Sequence, residues 1–178
     1  MNDQLTGLIK GKEFKVVKNI SLPQILVPRK ILEETQKQLL SFSRDKEFFE
    51  GIVYWAGKKA GRRFLVTEVV LPKATVTPVS FRVSSFENAR IMANLVKRGM
   101  QLIAQVHSHP ARLGLNYNLL EEEIGFPPHN GFFSLVVGSY AQEGLLPLAE
   151  KTGVYLYGKN AFARLNNKQI QSCFKILP

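Results

Sequence analysis

The sequence predicts a single α+β domain, built as a three-layer sandwich, and three observations lead there. Several short apolar runs with strand character neighbour one another along the chain; two longer stretches carry apolar residues at helical spacing; and no repeat, low-complexity tract or linker interrupts the 178 residues. A chain of this length suits one domain, residues 1–178, and is long enough to bury a real core. With 45% hydrophobic residues and twelve Phe, the composition is that of a globular protein rather than a disordered one.

Taken in order, Phe14–Ile20 and Gln24–Val27 read as extended segments separated by Ser21-Leu22-Pro23. Pro28 stands where a helix can begin, and Ile31, Leu32, Thr35, Leu39, Leu40 and Phe42 form its stripe. Gly51–Ala56 and Phe64–Leu71 are strand candidates, joined by a hairpin tip in which Lys58, Lys59, Arg62 and Arg63 surround Gly57 and Gly61. After a Pro-punctuated loop, Val79–Val83 is a third strand. Ser84 and Glu87 have the spacing of a capping box. Phe86, Ala89, Ala93 and Val96 then give the predicted apolar face of a helix that Gly99 stops.

Gln101–Val106 is the next strand, followed by a long irregular segment, Ala111 to Asn130, of the kind that is functional or mobile in a compact domain. Phe132–Val137 and Gly153–Tyr157 are strand-like. Phe162–Leu165 and Gln169–Leu177 are expected to close the fold as a hairpin around Asn166-Asn167.

Composition narrows the function. No apolar run reaches the length of a bilayer span, and the first residues lack a signal-peptide pattern. Cys173 is the only cysteine, which excludes an intramolecular disulfide or a thiolate cluster and suits a reducing cytoplasm; in an apolar strand-like setting it is expected to be inert. The net charge of +10 is concentrated early, with eighteen of twenty-four Lys and Arg before residue 101. A basic surface suits an acidic protein partner or nucleic acid. Finger, helix-turn-helix and RNA-binding-sheet patterns are all missing, so nucleic acid is the minor alternative of the two.

Gln105-Val106-His107-Ser108-His109-Pro110 carries two of the three histidines. Residues i and i+2 of a strand share a face, so His107 and His109 present their imidazoles side by side, and Pro110 ends the strand. Such a pair is either half of a zinc site or two surface histidines. Ser108 points to the opposite face and is assigned to packing. Glu50, immediately before Gly51-Ile52-Val53-Tyr54-Trp55-Ala56-Gly57, is either a carboxylate at the rim of a site or a loop residue after Phe48-Phe49.

Glu50 before that strand, then a helix, Gln-Val-His-Ser-His-Pro and Gly131-Phe132-Phe133-Ser134-Leu135-Val136-Val137, together resemble the JAB/MPN (JAMM) metalloprotease family. The likeness covers roughly residues 25 to 160 and is greatest to the bacterial branch that accompanies ubiquitin-like conjugation systems. It implies a β-sheet flanked by helices, one Zn2+ per chain, and isopeptidase or peptidase action at the tail of a ubiquitin-like protein. Implied partners are that protein or its conjugates, with activating and conjugating enzymes beside it. By the same resemblance His107 and His109 are zinc ligands and Glu50 the general acid/base.

The family's Ser-x-x-Asp motif is altered here: Tyr117 and Leu120 occupy those positions. One inserted residue restores the spacing as Asn118-Leu119-Leu120-Glu121. Asn118 would then donate to a developing oxyanion, and Glu121 would be the third ligand. Glu121-Glu122-Glu123 also reads as a solvated acidic helical turn, and His129 as an alternative ligand or a turn residue. Two functions of this fold therefore stand open, a zinc isopeptidase or a non-catalytic scaffold or ubiquitin-like-binding module, and the charge alone keeps a nucleic-acid-associated protein as a third.

Overall fold

The computed structural model describes residues 22–43, 47–116 and 125–178. The predicted segment Phe14–Ile20 lies outside them. Among the described residues eight strands form one mixed sheet, in the order β10-β1-β3-β2-β6-β7-β8-β9. They are β1 (Gln24–Pro28), β2 (Ile52–Ala60), β3 (Arg63–Val70), β6 (Gln101–Ser108), β7 (Phe133–Val137), β8 (Thr152–Gly158), β9 (Ala161–Arg164) and β10 (Phe174–Leu177). Two more strands, β4 (Ala74–Thr77) and β5 (Ser80–Val83), pair as a separate hairpin.

Strand alternation splits the buried residues of the sheet between two cores. Val53 and Trp55 of β2 face one core together with Ile25, Val27 and Leu135. Ile52, Tyr54 and Ala56 of the same strand face the other, with Phe132 and Val136. Helix α1 (Arg29–Leu40) covers the first face through Ile31, Leu32 and Leu39. The one-turn helix α3 (Leu148–Lys151) and α4 (Asn167–Cys173) join it there through Leu148 and Ile170. Helix α2 (Ser85–Lys97) and the β4–β5 hairpin cover the second face. The predicted three layers follow from this division. Among the described residues no helix is long and apolar enough to cross a membrane.

Pro28 precedes α1 as predicted, and Ser84 caps α2 by accepting from the Glu87 N–H at 3.1 Å. The α2 face is rotated from the predicted one. Phe86 and Val96 are 79% and 67% exposed, while Glu87, Asn88, Ile91 and Leu95 are buried. Two polar side chains can occupy that buried stripe because each is bonded. Asn88 Oδ1 accepts from the Tyr54 hydroxyl, its Nδ2 donates to the Gly125 carbonyl, and Glu87 binds Arg90 and the Lys73 N–H.

Three further expectations are corrected. The β2–β3 ladder runs on through Ala60 and Arg63, so Lys58, Lys59 and Arg63 lie in paired strands and only the turn at Gly61-Arg62 is loop. The Pro-punctuated stretch before β5 contains strand β4, whose Thr-Val-Thr run suits a pleated surface. Asn166 does not open a hairpin. It forms a complete capping box with Gln169, starting α4, and β10 then lies parallel to β1 at the far edge of the sheet. Cys173 thus ends a helix; it is buried, and burial pushes its thiol up to about 12.

Candidate metal centre

Strand β6 sits centrally, antiparallel to β2 and parallel to β7, and is buried without interruption from Leu102 to Ser108. His107 lies opposite Ile52 on one side and Val136 on the other. One residue beyond the strand, the His109 N–H donates to the Val137 carbonyl at 2.8 Å, and its own carbonyl accepts from the Tyr140 N–H at 2.8 Å. Both histidines are thereby fixed through their backbones. Their rings share one face with centroids 5.0 Å apart, and Phe81 of β5 packs 5.1 Å from His107. At 0% and 2% exposure they are not surface histidines.

Glu50 is equally buried, at 2% exposure, just before β2. The register that pairs Ile52 with His107 brings Gly51 beside Ser108 and carries Glu50 to the end of the sheet where β6 delivers its histidines. Its N–H donates to the Thr77 carbonyl at 3.0 Å, which ties it to the β4–β5 turn. A carboxylate and two imidazoles withdrawn from water at adjacent strand ends are costly as core residues and suited to holding a cation. Ser108 is buried as predicted but does more than pack: its Oγ accepts from the Gly51 N–H at 2.9 Å.

One residue that flanks this region has no sequence signal. Ser139, Tyr140 and Ala141 all have positive φ, at 50°, 50° and 64°, a conformation that disfavours side chains. The turn aims the Tyr140 N–H at the His109 carbonyl, stacks its ring 5.4 Å from Phe48, and lets its hydroxyl donate to the Pro78 carbonyl at 3.0 Å. Tyr140 thus links β7, the segment before Glu50 and the hairpin turn. No periodicity announces a left-handed turn made without glycine.

Of the remaining predicted residues, Asn118 and Glu121 lie outside the described residues. His129 is brought nowhere near the pair. It sits at the opposite end of the sheet, where its carbonyl accepts from the Phe132 N–H and it lines a cavity with Lys59 and Gln101. Its alternative reading as a turn residue fits that place. Among the described residues no group of three or more His, Cys, Asp or Glu is arranged to hold a metal. The donor chemistry of His107 and His109 fits zinc, since neutral imidazoles are among its preferred ligands, and supplies two of the three protein ligands a catalytic site uses.

No family model matches the sequence. A probable metalloprotease, y4jG, of Sinorhizobium fredii is 30% identical in an alignment of 123 positions that covers 67% of this chain and 74% of the relative. The solution structure of a protein from Desulfitobacterium hafniense has the same fold, with a TM-score of 0.57 at 16% identity over 86% of this chain and 93% of that one. A JAB1/MPN domain protein from Archaeoglobus fulgidus, at 16% identity over 79% and 95% of the two chains, reaches a TM-score of 0.43.

Proposed function

The chain belongs to the JAB/MPN family of metalloproteases, and from that premise we propose that it is a zinc-dependent peptidase acting at the C-terminal tail of a ubiquitin-like protein, either in deconjugation or in precursor processing. The observation that carries this reading is the burial of His107 and His109 side by side, with Glu50 at the neighbouring strand end. His107 and His109 would hold the zinc, with Glu121 as third ligand. When bound, zinc supplies Lewis acidity, which polarises a carbonyl and makes water acidic near neutral pH.

The chain's own residues account for the rest. Glu50, fixed through its backbone at the end of the sheet, takes a proton from the attacking water and returns it to the leaving amine. Asn118 offers an amide N–H to the oxyanion that develops on the scissile carbonyl. An extended tail suits the surroundings. Among the described strands β4 pairs with β5 alone, and beside it runs a groove of about 830 Å³ whose lining includes Phe42, Phe49, Lys73, Thr75 and Arg82. An extended peptide can add to such a strand edge through main-chain hydrogen bonds.

The test is Glu50→Gln. Ubiquitin-like proteins carrying a short C-terminal extension are incubated with the wild-type chain and the variant, and cleavage is followed by mass. The expected outcome is cleavage by the wild type and a loss of turnover in E50Q on the order of 10²-fold or more, with zinc content unchanged. A wild-type chain that cleaves none of them, or an E50Q chain as active as the wild type, would contradict the enzyme and favour a scaffold or binding module.

A further inference from the structure

We propose that Ser108 is a positioning residue for Glu50, a proposal that rests on Glu50 being the general acid/base. In a regular antiparallel ladder, a directly opposed hydrogen-bonded pair exchanges two backbone bonds. Here the Ser108 N–H donates to the Gly51 carbonyl at 3.0 Å, but the return bond from the Gly51 N–H goes to Ser108 Oγ at 2.9 Å. A side chain therefore closes the last rung of the β2–β6 pairing. Glu50, the next residue, is turned toward the hairpin, where its N–H reaches the Thr77 carbonyl at 3.0 Å.

Glu50 is thus held from both sides, by Thr77 through its own N–H and by Ser108 through that of its neighbour. Ser108 also lies between His107 and His109, so one residue fixes the separation between the acid/base and the histidine pair. The bond is fully buried: Ser108 is 0% exposed, leaving water no access to replace it. On the α1 side Gly51 has no room even for a β-carbon: one placed there would stand 2.6 Å from the Phe42 ring and 3.0 Å from the Leu39 carbonyl oxygen.

Ser108→Ala removes the acceptor, and Ser108→Thr returns it. Three quantities are compared on the full chain: zinc content, hydrogen exchange at the Gly51 amide, and kcat and KM on the extended ubiquitin-like protein. In S108A we expect zinc as in the wild type, Gly51 exchange at least about tenfold faster, and kcat lower by roughly 10- to 100-fold with KM unchanged, the penalty of a small misplacement of a reacting group. S108T should recover both exchange and kcat. If S108A does not fold, Ser108→Cys, whose sulfur is a weak acceptor, serves in its place.

Wild-type exchange at Gly51 in S108A, or an unchanged kcat, would overturn the proposal while leaving the function standing. A kcat that falls only in step with zinc loss would also overturn it. A wild-type chain that binds zinc but cleaves nothing would overturn the function first and the catalytic half of this proposal with it.

Discussion

Gly51→Ala probes how Glu50 is delivered without touching a charged group. A Cβ added at Gly51 would stand 2.6 Å from Cδ2 of Phe42, 3.2 Å from its Cγ and 3.0 Å from the Leu39 carbonyl oxygen. Ordinary contact begins near 3.4 Å, so the ring must retreat by about 0.8 Å and the carbonyl by about 0.4 Å. The half-buried ring can swing; the carbonyl belongs to the last turn of α1 and cannot move alone. Overpacking of this kind costs about 2 kcal/mol, which for a chain of this size lowers Tm by roughly 4 to 8 °C. Thermal unfolding of G51A, of Phe42→Leu and of the double variant checks both size and cause. Relief of the ring clash should make the double variant more stable than the sum of the two changes by about 1 kcal/mol, with the carbonyl clash remaining. A G51A chain that melts with the wild type, or two changes that simply add, would refute the reasoning.

Two further predictions concern buried polar side chains on the two faces of the sheet. Trp55 Nε1 donates to Thr35 Oγ1 at 2.8 Å with both residues fully buried, so Thr35→Val should cost about 1–3 kcal/mol in denaturant unfolding and Thr35→Ser much less. The Arg90 guanidinium, and after it the Lys73 N–H, hold the Glu87 carboxyl down to about 2 from an ordinary 4.5. A depressed folded-state pKa contributes stability that is present above the ordinary value and lost as pH falls from 4.5 toward 2. Glu87→Gln should therefore flatten stability across that acid window, as urea midpoints measured at several pH values will show.

Much of the fold is legible in the residue pattern. The β2, β6 and β7 runs are apolar because both faces of the sheet are covered, and Pro28, Ser84 and Gly99 mark helix ends by local chemistry. What misleads is polarity that is bonded internally. Glu87 and Asn88 occupy buried positions that hydropathy assigns to solvent, which turns the predicted α2 face toward water. Asn166 and Gln169 have capping-box spacing, a helix-start signal that competes with the Asn-Asn turn signal and prevails in the fold. At the site, the shared face of His107 and His109 follows from strand alternation alone. The role of Ser108 does not, because it depends on the partner strand's register, and the left-handed turn at Tyr140 depends on tertiary contacts.

The central claim is a zinc held by His107 and His109, and metal analysis of the chain purified without chelator or a His tag tests it most directly. About one zinc per chain is expected, lost in His107→Ala and His109→Ala and kept in Glu50→Gln. A chain that emerges without zinc and takes up none when zinc is added would contradict the account.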